Sequence, residues 1–193
     1  MIQFKKAAMF GLDARIALAI FGALSVISGA ALYSAIQNSK VTALAAEIRE
    51  IEKAIEQYIL DTGSDVDMKN GITAYGAREL SSSTKSGWNG PYLSHEPQTS
   101  GSPDTHYTHN VYNRIAIDQR VSGEDGFGDC NDAGNKGKTC YYWIFYGEVP
   151  DSIRKSLDVM YDSVEDDDAG IIYYASNNGV YYRSIPVVSQ PNP

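Results

Sequence analysis

From Ile16 to Ser39 the sequence has no charged residue, while Lys5, Lys6, Asp13 and Arg15 all stand before it. A run of 24 uncharged residues is longer than the roughly 20 that carry a helix across a bilayer. Ser25, Ser28, Gly29, Ser34, Gln37 and Asn38 weaken it, so its best core runs from Ile16 to Ile36. The lysine pair on the N-terminal side predicts a cytoplasmic N-terminus and an exported C-terminal part. Three readings fit this much: a secretory signal cut after Ser28-Gly29-Ala30, an uncut signal anchor, or a prepilin-type leader cut before the apolar run.

The residues that follow discriminate. Val41, Leu44, Ala45, Ile48, Ile51, Ile55, Tyr58 and Ile59 recur in steps of three and four, with Glu47, Arg49, Glu50, Glu52, Lys53 and Glu56 between them. That is the stripe of an amphipathic helix. No proline precedes Pro91. The spacing therefore predicts one helix from about Asp13 to Asp61, roughly 70–75 Å long, closed by Gly63. Its first half is apolar all round, which demands lipid or a bundle of like helices; its second half needs a partner on one side only.

These residues resemble the N-terminal signal of type IV pilins and pseudopilins. In "KKAA|MFGLD" the cut falls between Ala8 and Met9. Asp13 then takes the fifth mature position, where the family has glutamate. "AIFGAL" (19–24) is similar to the family's "AIIGIL" and puts Gly22 on a position that often carries glycine. Two departures stand out: alanine replaces the usual glycine before the cut, and Arg15 is unusual in this segment. Further on, "EIREIEKAIEQYILDTG" resembles the end of the first helix of the major type II secretion pseudopilin. "GWNGPYL" (87–93) is similar to its "W-x-GPYL" element, and "VPDSIRKSLDVMYD" with "GIIYY" is similar to the C-terminal part of several pilins.

The resemblance implies an α+β, pilin-like fold, in which a long N-terminal helix, half of it transmembrane, packs on a small antiparallel sheet with long loops. It implies a leader at 1–8, a membrane or filament-core half-helix at 9–38, an amphipathic half at 39–63 and an exported head at 64–193. The expected function is that of a structural subunit of a type IV pilus or pilus-like filament, with the type II secretion major pseudopilin as the alternative. A signal-anchored or secreted periplasmic binding module is the reading of another class. The implied partners are further pilin subunits, a prepilin peptidase and an inner-membrane assembly platform. The head stands in the periplasm before assembly, and at the cell surface or in a periplasmic filament afterwards. Asp13 is expected to meet the freed amine of Met9 on a neighbouring subunit, because an unpaired carboxylate in an apolar bundle is costly. Arg15 either snorkels to the cytoplasmic face or pairs with a neighbour's acid. Asp13, Arg15 and Gly22 are thus the assembly residues.

Cys130 and Cys140 are either reduced thiols or one disulfide, and an exported head favours the disulfide. Closing so short a loop is worth roughly 2–3 kcal/mol. "EDGFGDCND" (124–132) and "EDDD" (165–168) are acidic clusters, from which Asp125, Asp129 and Asp132 emerge as weak calcium candidates. "DCNDAG" opens like a calcium loop but has Ala133 and Cys140 where oxygen ligands belong. His106 and His109 lack a third and fourth zinc ligand, and the cofactor expectation is none.

The chain carries a net charge of -8 and no basic patch, which argues against nucleic acid. It holds no P-loop, dinucleotide fingerprint, H-E-x-x-H or paired-cysteine zinc motif, so nothing supports an enzyme. In the head, residues 64–135 read as long loops with a strand at 111–117. "CYYWIFY" reads as strand, and residues 150–162 as a short helix burying Ile153, Leu157 and Met160 or Tyr161. "GIIYYAS" and "GVYYRSI" form a hairpin about Asn178-Gly179, giving three or four strands in all. The paired tyrosines place one ring on the helix and one toward solvent or a neighbour; a carbohydrate surface is the alternative. The tail "VVSQPNP" is expected to be loose.

Overall fold

The computed structural model describes residues 4–69, 74–75, 77–99, 105–121, 128–163, 170–175 and 177–190. Helix α1 (Phe4–Thr62) runs unbroken and starts earlier than its apolar core, because nothing in residues 4–12 stops a helix. It ends as its residues require. Gly63 adopts φ +66°, and its N–H donates to Ile59 O at 2.8 Å. The chain divides into two compact units, residues 1–40 and 41–193.

In the first unit every described side chain from Gly11 to Lys40 is exposed except the half-buried Gln37. Leu18, Phe21 and Val26 each leave 70% or more of their surface open. Among the described residues this is the one helix long and apolar enough to cross a membrane.

The second unit is built on the remainder of α1. Val41, Leu44, Ile48, Ile51, Ile55 and Tyr58 are buried on one side of it, as the steps of three and four require. They share one core with the inner face of a six-stranded antiparallel sheet. Its strands are β3 (His106–Thr108), β4 (Arg114–Val121), β5 (Gly128–Asp129), β6 (Cys140–Tyr146), β7 (Ile172–Tyr174) and β8 (Val180–Pro186), in the order β3-β4-β6-β8-β7 with β5 against β4. A separate pair, β1 (Met68–Lys69) with β2 (Ala74–Tyr75), and the short α2 (Ala77–Ser81) lie between α1 and this sheet in sequence. Tyr142, Ile144 and Tyr146 of β6 point inward beside Ile115 and Ile117 of β4. α3 (Asp151–Asp162) buries Ile153, Leu157 and Asp158. Of the two residues expected at the third inward position, Tyr161 is half-buried against the core and Met160 is half exposed; Asp158 is buried as well, and the Tyr174 hydroxyl donates to its Oδ2 at 3.0 Å.

Several expectations are corrected. There are six strands in the main sheet rather than three or four, because β3 and β5 are too short to announce themselves and exist only by pairing with β4. Residues 111–113 form a turn, with Asn113 at φ +52°, so β4 begins at Arg114 and runs on to Val121. Between β7 and β8, Ala175 N–H donates to Gly179 O and Asn178 takes the positive φ. The tail is tied as far as Gln190. Val187 is buried, the N–H groups of Val188 and Ser189 donate to Asp65, and Gln190 both donates to and accepts from the Cys140 backbone.

The outward rings are not free either. Trp143 is fully buried, edge-on to Tyr173 at 5.3 Å. Arg114, Arg120 and Arg183 lie over Phe145, Tyr181 and Tyr141 at 5.3–5.7 Å. Guanidinium groups thus cover the ring faces that a sugar would need.

Candidate functional site

The residues expected to drive assembly all sit on α1. Ala8 and Met9 lie in its first turns, and their side chains are outside the described residues. Asp13 and Arg15 are exposed. Two residues apart on a helix they face different ways, and among the described residues neither makes an ion pair. A Cβ added at Gly22 would meet nothing within 4 Å. Among the described residues, therefore, no contact calls for glycine at that position.

Cys130 and Cys140 are joined in a disulfide, Cα to Cα 5.7 Å, and both are buried. Two carboxylates accept from the backbone at the start of the loop they close, Asp129 just before it and Asp132 within it. Asp129 Oδ1 accepts from Asn131 N at 2.9 Å, and Asp132 Oδ1 accepts from Gly134 N at 2.9 Å. Asp125 and the acidic run 165–168 lie outside the described residues. Among the described residues no three His, Cys, Asp or Glu side chains are placed to hold a metal ion.

The "GWNGPYL" motif fastens the loop after α2 to the end of α1. Trp88 Nε1–H donates to Glu79 O at 2.9 Å. The Tyr92 hydroxyl donates to Asp61 Oδ2 at 2.9 Å and accepts from Asn89 N at 2.8 Å, and its ring stands edge-on to Tyr58 at 6.0 Å. Gly87 is required. Its φ is +85°, and a Cβ there would collide with Asp61 O.

The sequence reading missed a second fastening. Glu47 on α1 takes one imidazole on each oxygen, His95 Nε2 at 2.8 Å and His109 Nε2 at 3.1 Å. His109 Nδ1 accepts from the N–H groups of Val111 and Tyr112. Its lone pair is therefore used, Nε2 carries the proton, and the ring has no lone pair left for a cation. This removes His109 as a metal ligand. Burial alone would raise the Glu47 carboxyl; the hydrogen bonds from His95 and His109 outweigh it and hold the group below its ordinary value of 4.5. The signal was present in the sequence: Glu47 stands between Leu44 and Ile51 at helical spacing, an acid on the buried stripe.

A long helix whose first part is bare and apolar, followed by a small antiparallel sheet packed on its remainder, defines a pilin-like α+β subunit. Residues 31–136, just over half of the chain, match the family model described as Type II secretion system (T2SS), protein G. The chain belongs to that family of pseudopilins, which favours the secretion reading over the surface pilus. No curated protein and no solved structure matches it.

Proposed function

We propose that this chain is a type II secretion pseudopilin that a prepilin peptidase cuts between Ala8 and Met9, and that it then polymerises through α1 into a pilus-like filament. The observation that carries the reading is the family match, joined to an apolar half-helix with its side chains bare from Gly11 to Ile36. Such a surface is stable only in lipid or among like helices. Before assembly the helix anchors the chain in the inner membrane with the head in the periplasm. In the filament, further copies and other pseudopilins replace the lipid, and an inner-membrane platform feeds them in. Asp13 pairs with the Met9 amine of a neighbouring copy and sets the register. The protein's role is structural, not catalytic.

The test is intact mass and N-terminal peptide sequencing of the protein extracted from its native membrane. A start at Met9 is expected. A start at Ala31 would mean ordinary secretion and a start at Met1 an uncut anchor; either refutes the proposal.

A further inference from the structure

The end of the chain is fastened to one half of the disulfide. Cys140 opens β6 and is paired on one edge with Val121 of β4. The other edge of β6 faces β8, but β8 ends at Pro186, opposite Tyr141, and a proline has no N–H with which to carry a ladder further. The tail supplies the missing neighbour. Val187 N–H donates to Cys140 O at 3.0 Å. The Gln190 side chain accepts from Cys140 N–H at 2.7 Å and donates to Cys140 O at 3.2 Å, so one amide holds both backbone groups of a single cysteine. The second anchor involves the same strand: Asp65 accepts from the N–H groups of Val188 and Ser189 and from the Tyr142 hydroxyl. The loop between the cysteines is held as narrowly. Residues 131–139 are all exposed except the half-buried Asn135, so the loop buries almost nothing that would keep it in place. The cysteines themselves each leave only 1% of their surface open and share one core with Val187 of the tail.

We infer that the tail, residues 187–190, is a redox-set latch: it closes on the oxidised Cys130–Cys140 pair and opens when the pair is reduced. With the disulfide formed, Cys140 presents its N–H and C=O in a fixed place and the Gln190 amide fits them. With the disulfide broken, an exposed loop hangs from Cys140 and the clamp loses its fixed target. The coupling is reciprocal: whatever the disulfide adds to the closed tail, the closed tail adds to the disulfide. The latch also sets the order of events. A thiolate must reach a sulfur to make or break the bond, and both cysteines are buried with the tail closed, so exchange takes place with the tail open. The two thiols then pass two electrons and two protons to the disulfide of a partner, through a mixed disulfide, and the partner leaves as a dithiol. The enzyme class that acts on this chain is therefore a protein dithiol oxidase, working before the tail docks and seals the product. None of this depends on filament assembly.

The experiment uses the full-length chain in detergent micelles. Amide exchange of residues 188–190, followed by mass spectrometry, reads the latch. On reduction by a phosphine it is expected to rise about tenfold or more, with the middle of β6 still protected. Gln190→Ala removes the clamp and leaves the disulfide in place. In a dithiothreitol redox buffer it is expected to move the thiol–disulfide equilibrium about tenfold toward the reduced form, or about 30 mV for a two-electron couple. Linkage requires the two factors to agree, here to within about threefold. In the oxidised variant, the initial rate of reduction by excess dithiothreitol should rise by the same factor as its tail exchange. Val188→Ala alters a side chain that is 62% exposed, keeps every backbone bond of the tail, and is expected to change none of these readings. The inference is overturned if reduction leaves the tail exchange unchanged, if Gln190→Ala alters neither the equilibrium nor the rate, or if Val188→Ala alters them as much. Should reduction unfold the whole head, lost protection in β6 shows it, and the rate in oxidised Gln190→Ala then decides: a rise supports the latch and an unchanged rate overturns it.

Discussion

The tie between Glu47 and the two imidazoles makes a sharp prediction. Glu47→Ala removes an acceptor that serves His95 Nε2 at 2.8 Å and His109 Nε2 at 3.1 Å. His109 cannot turn its other nitrogen to the gap, because Nδ1 accepts from Val111 and Tyr112. Its Nε2–H is left without a partner in a side chain only 10% exposed. A hydrogen bond to a charged group is worth about 1.5–3 kcal/mol, and an orphaned donor costs a similar amount. The Glu47 side chain keeps 20% of its surface in water, and solvent screening reduces the sum. The expected loss is about 2–3 kcal/mol, or about 4–12 °C in Tm for a head of this size. Thermal unfolding at pH 7, followed by circular dichroism, measures it. Glu47→Gln should cost less, since it keeps one acceptor and turns an amide N–H₂ toward the other imidazole. The pH dependence follows from the direction of the Glu47 shift. A carboxyl whose folded pKa lies below its ordinary 4.5 stabilises the fold above that value and loses the contribution as pH falls through the folded pKa. The gap between wild type and Glu47→Ala should be full at pH 7 and shrink below about pH 4.5. An unchanged Tm at pH 7, or a gap that widens toward pH 3, would refute the reasoning.

Three other outcomes are expected in the same assay. Cys140→Ser, with Cys130→Ser to leave no lone thiol, should cost roughly 2–3 kcal/mol by freeing the closed loop in the unfolded chain, and reductant should reproduce the loss in wild type. Gly87→Ala should destabilise by about 2–4 kcal/mol, because a left-handed backbone and a collision with Asp61 O coincide there. Asp65→Ala takes the shared acceptor from Tyr142 Oη and from the N–H groups of Val188 and Ser189. Amide exchange of residues 188–190 should speed up at least about tenfold as the tail opens, while exchange in the middle of β6 changes little.

What could be read without a structure was whatever depends on neighbours along the chain. The α1 stripe, the glycine that ends it, the β6 strand, the α3 helix and the apolar run that marks the membrane half are all periodicities or caps. Each is set by residues within a few positions of one another, so the sequence by itself determined them. The length of the bare half-helix also determined that the chain needs lipid or like subunits. Tertiary structure decided whatever requires a distant partner. β3 and β5 have only two or three residues each and are strands only because β4 lies beside them. Asp65 holds a tail more than 120 residues away, and no local pattern announces that bond. The outward aromatic rings were expected to face solvent or a neighbouring subunit; arginines from other strands of the sheet reach over them, and that reach is a property of the sheet's register. Glu47 shows the limit best. An acid on a buried stripe is visible in the sequence as an oddity. Which two histidines answer it, 48 and 62 residues away, is settled only when the folded loops bring their ring nitrogens to its two oxygens, because a buried carboxylate is tolerable only where donors converge on it.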